Sequence, residues 1–166
     1  MYDPARMRAH NEESILVAGP IEAVFDHACD ADKLCALLTG WGPVPATTAI
    51  TLLEGATQPA VGVRRRVQTS DGGELEEEVL AFERPLRHSY RLYGSFKGPA
   101  KLLVTQGWGD WRFEALGERE TRVTWRYEFE LRSVLALPFA IPMLKVAFAG
   151  MQRVGLRGLA AAFATP

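Results

Sequence analysis

Residues 120–131 read ETRVTWRYEFEL, and this stretch decides the fold because its side chains alternate between two chemistries. Every second residue is large and apolar: Val123, Trp125, Tyr127, Phe129 and Leu131. The residues between them are charged or polar: Arg122, Thr124, Arg126, Glu128 and Glu130. Successive side chains of a β-strand point to opposite faces, so this period of two predicts a strand with one buried and one solvated face. Such a pattern is typical of an antiparallel sheet that covers a core on one side only.

The chain as a whole has the composition of an ordinary globular domain. It has 166 residues, of which 48% are hydrophobic, and its 19 basic and 20 acidic groups give a net charge of −1. This size suits one domain over residues 1–166, and the balanced charge argues against a nucleic-acid binder. Cys29 and Cys35 are too few for a disulfide framework, and residues 1–6 contain no apolar run that would resemble a secretory signal. We therefore predict a cytoplasmic protein.

Working outward from residues 120–131, β-branched or alternating segments separated by turn residues predict six further strands. We place them at residues 14–18, 48–54, 61–68, 75–82, 88–93 and 101–116. Gly107 and Gly109 predict a β-bulge in the last of these. The polar residues 1–11 are predicted to be flexible.

Two short helices are predicted between the first and second strands. The first has an apolar stripe at helical spacing after Pro20: Ile21, Val24, Phe25 and Ala28. Asp30 is the expected N-cap of the second helix, which ends near Gly40.

A long helix is predicted from Met143 to Phe163, after an apolar segment at residues 134–143 that contains two prolines. Its polar side chains are predicted to share one solvated arc: Lys145, Gln152, Arg153 and Arg157. Its small residues either leave a cavity against the sheet or allow close helix packing, and we favour the cavity: Ala147, Ala149, Gly150, Gly155 and Gly158. These elements together predict an α+β fold in which a curved antiparallel sheet of about seven strands wraps around the C-terminal helix.

The turn at residues 70–73 predicts how two neighbouring strands pair. If Thr69 pairs with Glu74 across the turn, Arg65 lies opposite Glu78. The same face then carries four apolar side chains and is the inner one: Val61, Val63, Leu80 and Phe82. We therefore predict an inward-pointing Arg65–Glu78 pair, which is either a structural ion pair or an anchor for an oxygen of a ligand.

The other candidate ligand-binding residues are predicted to lie on this inner face: His88, Tyr90, Trp125, Tyr127 and Phe129. His88, Arg65 and Tyr127 are the catalytic candidates, since an imidazole can move a proton and the other two can polarise a carbonyl. Core packing explains each of them individually, so the prediction of a site rests on their coincidence. His27, Cys29 and Cys35 lack the spacing of a zinc site, and we expect no metal and no cofactor.

Four segments resemble the START/SRPBCC superfamily, whose members have the helix-grip fold of the birch-pollen allergens. They are VAGPIEAVF at residues 17–25, DGGELEEEV at 71–79, FERPLR at 82–87 and TRVTW at 121–125. The second, third and fourth are similar to the polyketide cyclase/dehydrase branch. The resemblance extends over residues 12–164 and implies a fold shared by aromatase/cyclases, sterol and lipid carriers, and hormone-binding and quinone-binding proteins. It carries no shared catalytic signature.

Three functions remain open from the sequence. The first is binding of a cyclic or lipid-like hydrophobic molecule in a cavity between the sheet and the C-terminal helix. The second is a polyketide cyclase or dehydratase, and the third is a module that holds a partner protein in the same groove. Residues 134–143 are too short to span a membrane, but this segment could contact a bilayer. We expect a monomer or a homodimer.

Overall fold

The computed structural model describes residues 7–93 and 100–164. Seven antiparallel strands form one sheet: β1 (Arg8–Val17), β2 (Thr47–Leu52), β3 (Arg64–Thr69), β4 (Glu74–Glu83), β5 (Arg87–Tyr93), β6 (Val104–Gly117) and β7 (Glu120–Leu131). Their order across the sheet is β1-β7-β6-β5-β4-β3-β2, so β1 and β2 are its edges. The apolar side chains of β7 are all buried, which confirms the two faces predicted from residues 120–131.

β1 begins earlier than predicted. It pairs with β7 from Arg8 opposite Glu130 to Val17 opposite Thr121. The predicted flexibility of residues 1–11 is therefore wrong for residues 8–11, because backbone pairing to β7 orders them despite their polar side chains. Residues 1–6 lie outside the described part of the chain.

Two helices follow β1 as predicted, α1 (Ile21–Cys29) and α2 (Ala31–Leu37). The carboxylate of Asp30 accepts a hydrogen bond of 3.0 Å from the backbone N–H of Lys33, which confirms Asp30 as an N-cap. A single helical turn, α3 (Ala100–Leu103), precedes β6.

The C-terminal helical run starts before Met143. It consists of a 3₁₀ turn (Val134–Ala136), α4 (Leu137–Pro142), a π-helical turn (Met143–Phe148) and α5 (Ala149–Ala162). By length and composition it could cross a membrane, and among the described residues it is the one helix that could. It is nevertheless a core helix of this domain, because α5 packs against β1 and α2.

The predicted register of β3 and β4 is wrong by one residue. Arg65 pairs with Glu77 instead of Glu78, and Val67 pairs with Leu75. The reason is the turn, in which the backbone N–H of Thr69 bonds to the carbonyl of Gly73. That bond leaves a three-residue loop whose last residue, Gly72, has φ +74°, a conformation that glycine adopts readily.

The shifted register changes which side chains point inward. Glu77 and Val79 are buried, whereas Leu80 and Val61, both predicted to face inward, are exposed. Glu78 lies on the outer face, where it accepts a hydrogen bond from Arg91. A register shift between Val79 and Ala81 changes the alternation of β4. The Phe82 side chain therefore points inward, where its ring contacts that of Phe25.

Gly107 and Gly109 do not form the predicted bulge. They pair regularly with Phe129 and Tyr127, and the irregularities of β6 lie near its two ends. The rings of Phe129 and Tyr90 lie over these glycines so closely that a Cβ atom would overlap them. Glycine is therefore required here by aromatic packing across the sheet.

The helix glycines allow close packing, which was the alternative to the cavity. The Trp41 indole occupies the position that a Cβ of Gly150 would take, and Leu37 lies against Gly158. The predicted polar arc is also wrong at Gln152, which is fully buried. Its side-chain amide donates to the Trp125 carbonyl at 2.7 Å and accepts from the Asn11 amide at 2.9 Å. Gln152 thus links α5 to β7 and β1.

We expect Gln152→Met to lower the free energy of unfolding by about 2 kcal/mol, because it keeps the side-chain volume but leaves buried polar partners without hydrogen bonds. Urea unfolding measures this change. Arg157→Met, an exposed substitution on the same helix, is the control and should change stability by less than about 0.5 kcal/mol. Equal free energies of unfolding for the two variants would show that the hydrogen bonds of Gln152 do not stabilise the packing of the helix on the sheet.

Candidate functional site

A cavity of about 170 Å³ lies between the inner face of the sheet and the helices. Strands β3, β4, β5 and β7 supply an apolar wall: Val67, Leu75, Leu92 and Phe129. The helices and the residue that follows α2 supply the opposite wall: Leu34, Leu38, Phe148 and Met151. The cavity is therefore lined by both layers of the fold, and its location agrees with the prediction of a cavity between the sheet and the C-terminal helix.

The cavity is also lined by two charged side chains and two phenols: Arg65, Glu77, Tyr90 and Tyr127. They lie on β3, β4, β5 and β7, at positions where the alternation of each strand turns a side chain inward. Arg65, Tyr90 and Tyr127 are candidates from the sequence. Glu77 was missed because the predicted register put its neighbour, Glu78, on the inner face.

Arg65 and Glu77 form a buried ion pair. The Nε of Arg65 donates to Oε2 of Glu77 at 2.6 Å, and both side chains are less than a tenth exposed. The guanidinium carbon of Arg65 also lies 4.8 Å from the centre of the Tyr90 ring, which adds a cation–π contact. Burial disfavours the charge on Arg65, but Glu77 and Tyr90 compensate, and the pKa of Arg65 is raised. The pair thus places a guanidinium and a carboxylate side by side at the cavity wall.

Tyr90 and Tyr127 meet through their hydroxyl groups. The two Oη atoms are 3.1 Å apart, and the rings are nearly perpendicular. Burial, and to a smaller extent the charge of Glu77, raises the pKa of Tyr90 to about 12. Burial also raises the pKa of Tyr127 well above its ordinary range. Both phenols are therefore protonated at neutral pH and can donate hydrogen bonds.

His88 lies behind this site and does not line the cavity. Its Nδ1 is 3.3 Å from the carbonyl of Ala81, and its ring packs between those of Phe82 and Tyr90. Its Nε2 is buried without a hydrogen-bond partner among the described residues. Burial, assisted by the positive charge of Arg65, lowers the pKa of His88 to about 3. The imidazole is therefore neutral at physiological pH.

The remaining candidates occupy different places. Phe129 lines the cavity beside Tyr127, with which it is stacked at a centroid distance of 5.8 Å. Trp125 is fully buried next to the site, stacked on Trp111 at 4.2 Å, and does not line the cavity. Glu78 points away on the outer face.

Phe148 and Met151, which line the cavity from the helix, were missed by sequence reasoning. The apolar stripe of that helix reveals that they face the sheet, but it does not reveal which turns leave space beside them. Within residues 7–93 and 100–164, no group of three or more potential metal ligands is found. Burial raises the pKa of the Cys29 thiol to about 12, which leaves it unreactive at neutral pH.

Comparisons with known proteins give the same architecture. The model of a family described as polyketide cyclase/dehydrase and lipid transport matches residues 8–164. A search of curated proteins gives no match.

Three solved structures illustrate the shared fold. A protein from Nitrosospira multiformis is 19% identical, with a TM-score of 0.69 over 95% of this chain and 97% of that one. Norcoclaurine synthase from Thalictrum flavum is 12% identical, with a TM-score of 0.68 over 98% and 97%. The Zhui aromatase/cyclase from Streptomyces sp. R1128 is 18% identical, with a TM-score of 0.67 over 94% and 93%. These likenesses confirm the predicted helix-grip fold.

We expect Arg65→Met to lower the free energy of unfolding by about 3–5 kcal/mol, because it leaves Glu77 as a buried charge without its cation. The double variant Arg65→Met/Glu77→Met should recover most of that loss. Arg64→Met is the matched control. Arg64 is the residue next to Arg65 and forms only exposed ion pairs, which contribute about 0–1 kcal/mol. Urea unfolding that ranks Arg65→Met with Arg64→Met would contradict the buried pair.

We also expect His88 to make stability depend on pH. Its pKa is about 3 in the folded chain against an ordinary value of 6.5, so between these values the unfolded state binds a proton that the folded state does not. Its contribution to stability is complete above pH 6.5 and is lost as the pH falls, by at most about 1.4 kcal/mol per pH unit. Urea unfolding of His88→Gln between pH 4.5 and 7 should lack this slope, whereas the exposed control His10→Gln should retain it. Equal slopes in the wild type and His88→Gln would refute the assignment.

Proposed function

This chain belongs to the polyketide cyclase/dehydrase and lipid transport family, and from that premise we propose that it binds a small cyclic hydrophobic molecule between the sheet and the C-terminal helix. The observation that carries the proposal is an apolar cavity lined also by the paired hydroxyls of Tyr90 and Tyr127. Apolar walls with a few convergent polar groups are typical of small-molecule sites.

The size of the cavity limits the ligand. Its volume of about 170 Å³ is close to that of an apolar cavity of about 150 Å³ that binds benzene. Sites for drug-sized ligands usually measure about 300–1,000 Å³. We therefore infer a compact ligand of one or two rings in this conformation of the protein.

The polar groups define the chemistry that the ligand must offer. A hydrogen bond between Tyr90 and Tyr127 uses one of their two hydroxyl protons, which leaves one donor for a ligand oxygen. The guanidinium of Arg65 has N–H donors besides the one that bonds to Glu77, and these favour a ligand oxygen that accepts hydrogen bonds. A phenol or a cyclic ketone meets both requirements, whereas a pure hydrocarbon leaves the buried donor unsatisfied.

A polyketide cyclase or dehydratase is the second candidate, favoured by the same hydroxyl pair beside a guanidinium, which could polarise a carbonyl. Such an enzyme also needs a group that transfers a proton at neutral pH. The raised pKa values of Tyr90 and Tyr127 and the position of His88 behind Tyr90 suit hydrogen bonding better than proton transfer. Binding without catalysis is therefore the function that the cavity supports best.

The third alternative, a groove for a partner protein, receives no support from a cavity lined by both layers of the fold. The cytoplasmic location stays a prediction based on the free thiols of Cys29 and Cys35. The oligomeric state, monomer or homodimer, also stays a prediction.

Fluorescence titration with 2-naphthol tests the proposal, with naphthalene as the comparison ligand that lacks a hydroxyl group. We expect Tyr127→Phe to weaken 2-naphthol binding about 2-fold to 10-fold, the effect of one hydrogen bond, and to leave naphthalene binding unchanged. Tyr93→Phe is the matched control, because Tyr93 lies on the outer face of the same sheet against Arg91. Failure of the wild type to bind either molecule would contradict a ligand cavity of this size.

A further inference from the structure

Before α5 begins, the C-terminal helical run buries mostly small side chains and exposes large apolar ones, which is the reverse of an ordinary amphipathic helix. Its buried side chains are mostly small: Ala136, Ala140, Leu144 and Ala147. Its exposed apolar side chains are larger, and we call them the outer apolar surface: Val134, Leu135, Phe139, Ile141 and Val146. Leu135 is 77% exposed and Phe139 is 67% exposed. A helix that served only the core would bury these large side chains and expose the alanines.

The turn α3 extends this surface. The Nε of Arg132 donates to the carbonyl of Lys101, and the backbone N–H of Arg132 donates to the carbonyl of Leu103, both at 2.9 Å. These bonds hold α3 beside the start of the helical run. Leu102 lies between the two acceptors and is 76% exposed. Six exposed apolar side chains therefore belong to one region of the protein, and a cluster of this kind marks an interaction site.

The charged side chains that the helical run and α3 themselves carry have one sign. Residues 131–166 contain four basic residues and no acidic residue. Of these, Arg132 and Lys145 are exposed on or beside the outer apolar surface, and Lys101 adds a third exposed cation from α3. The partner must therefore offer both an apolar environment and negative charge.

We propose that the outer apolar surface docks on a lipid bilayer that contains anionic headgroups. Large apolar side chains with flanking lysine and arginine are the features by which a helix lies in the interface of such a bilayer. A second copy of the chain fits less well, because a symmetric contact would bring the same cations of both copies together. The helix lies on the bilayer without crossing it, because the opposite side of the helix packs in the protein core.

This docking is independent of the identity of the cavity ligand. It would nevertheless bring the bilayer beside a wall of the cavity, since the helical run continues from Val146 into Phe148 and Met151, which line it. A protein docked in this way can exchange an apolar ligand with the membrane over a short distance.

Co-sedimentation of the full chain with vesicles, without added ligand, tests the proposal. We expect binding to phosphatidylcholine vesicles that contain phosphatidylglycerol, and much weaker binding to phosphatidylcholine alone or at high salt. Leu135→Ser/Phe139→Ser should weaken the binding at least about tenfold, because it removes apolar area that enters the bilayer. Lys101→Gln should weaken it about fivefold.

Leu80→Ser/Leu86→Ser is the matched control, since these leucines are also exposed but lie on β4 and the turn after it. It should bind vesicles like the wild type. The proposal is overturned by a wild type that does not bind anionic vesicles, or by a Leu135→Ser/Phe139→Ser variant that binds as well as the control. It is also overturned if, in the absence of vesicles, the wild type is a dimer and the Leu135→Ser/Phe139→Ser variant is a monomer. A second copy of the chain would then cover the outer apolar surface. Failure of 2-naphthol binding would leave this result unaffected.

Discussion

The architecture depends on one constraint: a sheet of seven strands has a single apolar face, and one long helix cannot cover all of it. The helix α5 packs against the edge strand β1, whereas the short α2 packs against the opposite edge strand β2 and touches α5. Between these two covers, side chains of β3, β4, β5 and β7 line the cavity of about 170 Å³ that remains there. The cavity is thus a consequence of how the sheet is covered, and it does not result from the small residues of α5, whose glycines lie under Trp41 and Leu37.

The polar part of the cavity follows from the register of β3 and β4. A charged side chain on an inner face is tolerated only with a partner, and the turn that ends at Gly73 provides Glu77 as the partner of Arg65. Once this pair is in place, its positive charge lies against the Tyr90 ring and disfavours a proton on His88. The β3–β4 hairpin therefore determines the ion pair of the candidate site, and its arginine adds to the effect of burial in lowering the pKa of His88.

Features that depend on local pattern could be predicted from the sequence, and features that depend on long-range geometry could not. The alternation in β7 and the Asp30 N-cap follow from neighbouring residues, and the structure confirms both. The partner of Arg65 depends on whether the turn contains three or four residues, and one residue of difference exchanges the inner and outer faces. Gln152 is polar and lies near other polar side chains in the helix, so only its hydrogen bond to the Trp125 carbonyl reveals that it is buried.

The central claim is that the sheet and the helices leave a cavity beside Tyr127, and a crystal structure under xenon pressure tests it most directly. Xenon enters apolar cavities of this size without requiring a particular polar contact. We expect a xenon atom among Leu92, Phe129 and Phe148, with no change in the surrounding backbone. A xenon-free space filled by the side chains of Phe148 and Met151 would contradict the claim.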